Sequence, residues 1–199
     1  KYGITTKTLQ RYHVKSLIRY EALSNQGKTY TLLSSQDEPM FCYMMGDFVK
    51  LYRPQSKLRF LYGGDKLKDY IFGFEQLPSK GDVLFITGGE KDVLSLSSHH
   101  FNAICFNSET ASIPEPIIES LQLRFRHIVL LYDTDETGLR EAERQAKLLE
   151  PYHVFYLRLS LQGTKAEKDI SDFFALGKTE KDLTSLLTEK LSSIYTHTI

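Results

Sequence analysis

The stretch of sequence that decides the fold is HIVLLYDTDETGL, residues 127–139. Its apolar run, 128–132, leads into Asp133 and Asp135, and a helical pattern begins near Gly138. Such a run, bounded by polar residues, is typical of an interior parallel strand buried on both faces. The two aspartates then lie at its carboxyl end, where open parallel sheets bind ligands. Two such carboxylates repel by about 4 kcal/mol when partly desolvated, which favours a hard cation such as Mg²⁺ as their partner. In the alternative interpretation, one aspartate caps the helix and the other is solvated.

Composition places the chain among ordinary globular proteins. Its 199 residues suit one domain or two small ones, and 41% are hydrophobic. No apolar run approaches membrane-spanning length and the N-terminus does not resemble a signal peptide, so we expect a cytoplasmic protein without a membrane partner. Cys42 and Cys105 are isolated, which predicts neither a disulfide framework nor a zinc site in this chain.

Charge divides the chain into a basic part and an acidic part. Residues 1–80 carry 13 Lys and Arg against 7 Asp and Glu, a net charge of +6, whereas residues 81–199 carry 12 against 18, a net charge of −6. The division is consistent with a polyanion bound by the first part and metal-binding carboxylates in the second. Solvated surface charge gives the same division, so the signal is weak when taken alone.

The basic part has the pattern of a short helix over 4–14 followed by an antiparallel meander, with strands near 30–33, 40–45, 48–52 and 58–61. The last hairpin interleaves cations with aromatic residues, and its cations are Lys50, Arg53, Lys57 and Arg59. This pattern suits contact with the phosphates and unstacked bases of single-stranded DNA. An ordinary sheet with its charges in water explains the pattern equally well.

The breaker-rich segment QLPSKGD predicts a boundary near 78–82, and therefore domains over 1–80 and 81–199. Beyond it, strands alternate with helices; strands are predicted at 83–87, 103–106, 128–132 and 154–159, and helices at 90–98, 117–125 and 136–149. Such alternation predicts a parallel sheet with right-handed crossovers. The expected fold is therefore α/β, a parallel sheet flanked by helices, preceded by a small mixed α+β subdomain and ending in a helical tail after Asp172.

Acidic residues follow several of these strands. Gly88 and Gly89 permit a tight turn after the first parallel strand, and Gly138 follows the third. Because the carboxyl ends of parallel strands meet at one edge, we expect the acidic residues there to converge. They are Glu90, Asp92, Asp133, Asp135 and Asp169. For Asp172, a helix-capping role is the stronger interpretation.

Three motifs, GGEKDVLSL, LLYDTDETGLREAERQA and KDISDFF, resemble in order and spacing the Toprim domain of DnaG-type primases and phage primase-helicases. That family has E-G-x-x-D after its first strand, D-x-D followed by x-x-G after its third, and K-D or E-D-x-x-D/E further on. Three motifs in register are far more specific than one. The basic, aromatic hairpin resembles the N-terminal subdomain of the primase polymerase core, so the resemblance covers nearly the whole chain.

The resemblance implies a phage or bacterial replication protein that synthesises RNA primers on single-stranded DNA from nucleoside triphosphates. Asp133, Asp135 and Asp169 would hold Mg²⁺ or Mn²⁺ in a two-metal arrangement, with Asp92 in the catalytic set. The basic subdomain would guide the DNA, and a replicative helicase, fused or separate, is an expected partner. The zinc ribbon and helicase motor of the family are absent from these residues.

The chain departs from the family at Gly88, where the family has its catalytic Glu. Glu109, in FNSET after the second strand, or Glu90 in the turn could supply the missing carboxylate. We favour Glu109, because Glu90 stands where a helix begins and can favour that helix's dipole. The departure also keeps open a catalytically impaired Toprim module that binds nucleic acid.

A third interpretation comes from the run hhhhDxDxT, with Asp133, Asp135 and Thr137. It also matches the nucleophile motif of haloacid-dehalogenase-type phosphatases. In that family the motif normally opens the domain, whereas here two strand–helix units precede it. A P-loop nucleotidase is excluded, since no GxxxxGK[ST] occurs.

Overall fold

The computed structural model describes residues 2–24, 26–64 and 70–196. Within these ranges the α-helices are α1 (Thr6–Arg11), α2 (Glu90–Ser98), α3 (Glu115–Gln122), α4 (Glu136–Leu148), α5 (Ile170–Ala175) and α6 (Glu180–Thr196). The strands are β1 (Val14–Leu17), β2 (Arg19–Leu23), β3 (Thr29–Leu33), β4 (Met40–Met45), β5 (Phe48–Tyr52), β6 (Phe60–Gly63), β7 (Gly81–Thr87), β8 (Asn102–Cys105), β9 (Phe125–Leu131) and β10 (Phe155–Tyr156). None of the described helices has the length and apolar character needed to cross a bilayer.

The chain divides into two compact units, one over Thr6–Asp69 and the other over Tyr70–Ile199 together with Lys1–Thr5. Residues 70–80, which the sequence assigned to the first domain, therefore pack with the second unit. The backbone explains this, because the Phe72 N–H donates to the Cys105 carbonyl at 2.9 Å and receives the reciprocal bond at 3.1 Å. Phe72 thereby adds an antiparallel bridge to the outer edge of β8.

The first unit contains two antiparallel sheets, one in the order β1-β4-β5-β6 and a separate β2-β3 hairpin. Three of the four strands predicted for the meander are present together as β4, β5 and β6. The fourth, predicted at 30–33, is β3 and pairs with β2 in the separate hairpin, and the sequence missed β1 and β2. The predicted helix over 4–14 ends early at Arg11, because His13 turns with a positive φ of 53° and Val14 begins β1. The buried side chains Met40, Cys42 and Leu51 form the core of this unit.

The second unit is built on a four-stranded parallel sheet in the order β10-β9-β7-β8. The two interior strands, β7 and β9, carry consecutive buried residues on both faces, as their apolar runs predicted. Helices α3 and α4 pack on the sheet through Ile118, Leu121 and Ala142, which belong to one apolar cluster with the strands. This sheet and its helices agree with the α/β architecture predicted from the sequence.

Several element boundaries in the second unit differ from the sequence prediction, and those of α3 and β10 are examples. The helix predicted over 117–125 ends at Gln122, because Phe125 already belongs to β9. Near this turn the Arg124 guanidinium donates to the carbonyls of Leu77 and Pro78 at 3.1 and 2.9 Å. The strand predicted over 154–159 is shortened to Phe155–Tyr156.

Candidate metal centre

The carboxyl ends of three adjacent strands bring the acidic segments together. Thr87, the last residue of β7, is in register with Cys105 at the end of β8 and with Leu131 at the end of β9. The residues that follow these strand ends therefore share one edge of the sheet. This is the edge where open parallel sheets bind their ligands.

Three aspartates converge at this edge. Asp92 lies in the first turn of α2, Asp133 follows β9 by two residues, and Asp169 caps α5 by accepting from the Asp172 N–H at 2.9 Å. One carboxylate oxygen of each lies within 4.8 Å of the others. We refer to Asp92, Asp133 and Asp169 as the aspartate triad.

Burial and the repulsion between carboxylates make two members of the triad, Asp92 and Asp133, costly to ionise. Burial, reinforced by the charge of Asp169, raises the pKa of Asp92 well above its usual value. Burial also raises the pKa of Asp133, although Lys168 opposes that shift. The Ser171 hydroxyl donates to Asp92 Oδ1 at 2.6 Å and stabilises its charged form. Carboxylates held this close call for a cation between them.

Two lysines supply part of the opposing charge. The Lys91 ammonium lies 2.6 Å from Asp169 and 4.0 Å from Asp92, and it also covers the Tyr2 ring at 4.6 Å. The Lys168 ammonium lies 2.5 Å from a carboxylate oxygen of Asp133. Burial lowers the pKa of both lysines, but the carboxylates outweigh it, so both remain protonated.

Asp135 is placed differently from the predicted metal ligand. Its side chain caps α4 by accepting from the Gly138 N–H at 3.0 Å, and it lies 2.8 Å from the Lys168 ammonium. The hydrogen bond from Lys168 lowers its pKa. The structure therefore places Asp92, rather than Asp135, beside Asp133 and Asp169. The helix-capping alternative considered for this D-x-D pair describes Asp135 well.

Glu109 lies directly over Gly88. A Cβ built on Gly88 would lie 2.6 Å from Glu109 Cγ, 2.8 Å from Cδ and closer still to Oε1. The Asp133 N–H donates to Glu109 Oε1 at 3.3 Å. Burial, and then the charge of Asp133, raise the pKa of Glu109 to about 7. Glu109 is therefore a half-buried acid at the border of the triad.

Glu90, the other candidate replacement, has a different environment. It is buried at the start of α2, where Oε1 accepts a hydrogen bond from the Tyr70 hydroxyl at 2.7 Å. Gly89 precedes it in an extended conformation, and a Cβ there would meet nothing within 4 Å. Gly138 is crowded, since its Cβ would lie 2.8 Å from the carbonyl carbon of Asp133. Of Gly89 and Gly138, only Gly138 lies where a side chain would collide with neighbouring backbone atoms.

Sequence reasoning missed Lys91, Lys168 and Ser171 as parts of this centre. A signal was present, because each lysine directly precedes one of the acidic residues, as Lys91-Asp92 and Lys168-Asp169. The ion pairs are not all between neighbours in the chain, however: Lys91 reaches Asp169 and Lys168 reaches Asp133. The KD pairs indicate that lysines are near, but not which carboxylate each one binds.

The predicted DNA-binding cations of the first unit have unequal exposure. Lys50 is only 2% exposed and its ammonium lies 4.7 Å from the centre of the Phe60 ring. The Arg53 side chain is 18% exposed and lies 3.7 Å from Glu38. Lys57 and Arg59 are exposed. The surface available to a phosphate backbone is therefore centred on Lys57 and Arg59.

Comparison with protein families gives a match over residues 85–174 to Toprim_2, described as Toprim-like. The matched range contains the aspartate triad, Glu109 and both lysines. No curated protein sequence matches the chain. The family match therefore concerns the second unit.

Solved structures extend the likeness to most of the chain. The primase fragment of the bacteriophage T7 primase-helicase protein matches with a TM-score of 0.64 and 18% identity, covering 94% of this chain and 72% of that one. A DnaG primase catalytic domain bound to ssDNA matches with a TM-score of 0.68, 13% identity and coverages of 94% and 71%. The E. coli primase catalytic core matches with a TM-score of 0.66, 14% identity and coverages of 94% and 70%. At these identities the likeness shows the fold, and it confirms the Toprim architecture predicted from the three motifs.

Proposed function

We propose that this protein synthesises RNA primers on single-stranded DNA with the help of a divalent cation. In support, residues 85–174 match a Toprim-like family model and the fold resembles that of primase catalytic cores. The observation that carries the proposal is the aspartate triad at the carboxyl edge of the parallel sheet. The incoming substrates would be nucleoside triphosphates, and the product a short RNA paired with the template.

The donor set of the triad suits Mg²⁺ or Mn²⁺. Each aspartate offers one carboxylate oxygen, and the three oxygens lie within 4.8 Å of one another, so these residues could hold a metal ion. Hard divalent cations prefer such oxygen ligands, and Mg²⁺ usually retains several waters as well. When bound, the cation would neutralise phosphate charge and lower the pKa of the attacking hydroxyl.

The chain's own residues position this centre. Ser171 fixes the Asp92 carboxylate by its hydrogen bond, and Lys91 and Lys168 hold Asp169 and Asp133 in place. Phosphoryl transfer depends mainly on positioning and on charge stabilisation, rather than on covalent chemistry by the protein. A rigid set of acids held by hydrogen bonds meets that requirement.

The template would bind through cations of the first unit. Lys57 and Arg59 are exposed and belong to the hairpin between β5 and β6, where aromatic residues also lie. Such a surface suits the backbone and unstacked bases of single-stranded DNA. A replicative helicase remains an expected partner, and the protein would act in the cytoplasm, where bacterial or phage DNA is copied.

The proposal is tested by primer synthesis on single-stranded DNA with ribonucleotides and Mn²⁺ or Mg²⁺. We expect the parent to extend primers, and Asp133→Asn and Asp169→Asn to reduce synthesis to background while also abolishing Mn²⁺ binding. Asp82→Asn is the matched control, because Asp82 is exposed near the opposite end of β7. Full activity of Asp133→Asn and Asp169→Asn would contradict the proposed centre.

Two other outcomes identify the alternative functions. A parent protein that binds DNA and Mn²⁺ but makes no primer would be the nucleic-acid-binding module. An acylphosphate on Asp133, trapped with beryllofluoride, would identify the phosphatase. The contacts of Asp135 do not favour the phosphatase, since its carboxylate already caps α4 and pairs with Lys168.

A further inference from the structure

We propose that Glu109 is a fourth carboxylate of the metal centre and that it occupies the volume that a side chain at position 88 would otherwise fill. This inference rests on the proposed function, because it assigns one more residue to the same centre. It makes Gly88 and Glu109 a matched pair, because a side chain at position 88 would have to displace the acid that projects from the neighbouring strand end.

The Glu109 side chain fills the space beside Gly88. Gly88 follows β7 and Glu109 lies four residues beyond the end of β8, so the two approach each other across adjacent parallel strands. A Cβ on Gly88 would lie 2.6 Å from Glu109 Cγ, far inside normal contact distance. Gly88 is not among the glycines with positive φ, so its backbone conformation does not demand glycine. A larger residue at position 88 would therefore have to displace the Glu109 side chain.

The Glu109 carboxylate is directed towards the backbone of Asp133. The Asp133 backbone N–H donates to Glu109 Oε1 at 3.3 Å, so the carboxylate is held against the backbone of a triad member. In contrast, the Glu90 carboxylate is buried and accepts a hydrogen bond from the Tyr70 hydroxyl. The orientation of Glu109 towards Asp133 makes it the better placed of the two glutamates.

In the described part of the chain, the ion pairs of the two lysines involve the aspartates and not Glu109. Among the described residues, Lys168 pairs with Asp133 and Lys91 pairs with Asp169, but no lysine or arginine pairs with Glu109. This half-buried carboxylate feels the charges of Asp133 and Asp135 but lacks a counter-charge of its own among these residues. A cation held by the triad would supply that charge, and Glu109 would in turn strengthen the hold on the cation.

The test measures Mn²⁺ affinity by calorimetry on the full chain, with far-UV circular dichroism in EDTA as the readout of folding. Glu109→Gln keeps the shape and removes the charge, and we expect it to weaken Mn²⁺ binding by about 10- to 100-fold, the usual effect of losing a supporting group at a metal site. Gly88→Ala should weaken binding in the same direction, because its methyl group displaces Glu109. Gly89→Ala is the matched control and should bind like the parent, since a Cβ there meets nothing within 4 Å.

An exchange variant tests the shared volume directly. Gly88→Glu alone should disturb the site, because its side chain collides with Glu109. Glu109→Ala alone should lose affinity, and the double variant Gly88→Glu with Glu109→Ala should regain most of it. Each substitution would then offset the loss of Mn²⁺ affinity that the other causes, a result that independent positions would not give.

The outcomes separate this inference from the proposed function. Parent-like Mn²⁺ affinity in Glu109→Gln, with binding lost in Asp133→Asn, would overturn the role of Glu109 and leave the triad intact. Equal behaviour of Gly88→Ala and Gly89→Ala, or a double variant no better than Glu109→Ala, would overturn the shared volume. Absence of Mn²⁺ binding by the folded parent would overturn both the inference and the metal centre.

Discussion

Lys168 offers a sharp perturbation of the centre, because its ammonium lies 2.5 Å from Asp133 and 2.8 Å from Asp135. Lys168→Met removes the charge and keeps an unbranched chain of similar length. The side chains are partly buried, with 31% exposure for Lys168 and 15% for Asp133. Exposed ion pairs contribute about 0–1 kcal/mol and broken buried pairs cost about 3–5 kcal/mol, so we expect a loss of about 2 kcal/mol in EDTA.

Lys168→Met should change metal affinity in the opposite direction to folding stability. A bound divalent cation supplies the charge that Lys168 no longer gives, so the stability difference from the parent should shrink towards zero in saturating Mn²⁺. Recovery of about 2 kcal/mol requires, by linkage, that the variant bind Mn²⁺ up to about 30-fold more tightly. Lys168→Met should therefore be less stable than the parent without metal and bind metal better.

Thermal unfolding followed by circular dichroism at 222 nm measures the first part, because five of the six described α-helices belong to the unit that contains the centre. About 2 kcal/mol corresponds to about 4–8 °C for a chain of this size. Calorimetry with Mn²⁺ measures the second part. Lys147→Met, at an exposed position on α4, is the control. Equal melting of the two variants in EDTA, or weaker Mn²⁺ binding by Lys168→Met, would refute the reasoning.

Two further predictions concern the DNA surface and the turn after β9. Alanine at both Lys57 and Arg59 should flatten the slope of log K against log salt for single-stranded DNA by about 1.4, since each lost phosphate contact removes about 0.7; an unchanged slope would leave the hairpin as plain sheet surface. Gly138→Ala should lower the melting temperature more than Gly89→Ala, because its Cβ would lie 2.8 Å from the Asp133 carbonyl carbon. Equal melting of these two variants would show that the turn relaxes freely.

Local patterns predicted the parallel sheet well. The apolar runs of β7 and β9 are continuous because both faces of these strands are covered, and this leaves a direct mark in the sequence. Helix α2 has the predicted bounds, 90–98, since the glycines before it and the end of its apolar pattern are local signals. These features require no knowledge of which segments meet in space.

The membership of the centre could not be predicted in the same way. The spacing of Asp133 and Asp135 suggested a shared ligand role, but the chain turns into α4 between them. Asp135 therefore points its carboxylate at the Gly138 N–H, while Asp133 joins Asp92 and Asp169. The direction in which α4 leaves the sheet decides which of the two aspartates caps the helix and which one joins the triad. That direction is a tertiary property.

The hairpin of the first unit illustrates the same limit for surface residues. The cations Lys50, Arg53, Lys57 and Arg59 look equivalent in the sequence, yet Lys50 is buried while Lys57 and Arg59 are exposed. Lysine has a long apolar stem and can pack its ammonium over an aromatic face, as Lys50 does with Phe60. Strand alternation alone does not reveal which face of a sheet is covered.

The balance of charge at the centre bears on how many cations it would hold under the proposed function. The aspartate triad, Asp135 and Glu109 contribute five of the carboxylates at or beside this edge, and Lys91 and Lys168 contribute two positive charges. When all are ionised the balance is −3, and one divalent ion reduces it to −1. A second divalent ion would bring this sum to +1, so under the proposed function it would be better stabilised when it arrives with the negative charge of a nucleoside triphosphate. Under the proposed function, the two-metal arrangement expected from the sequence would therefore be completed when the substrate binds.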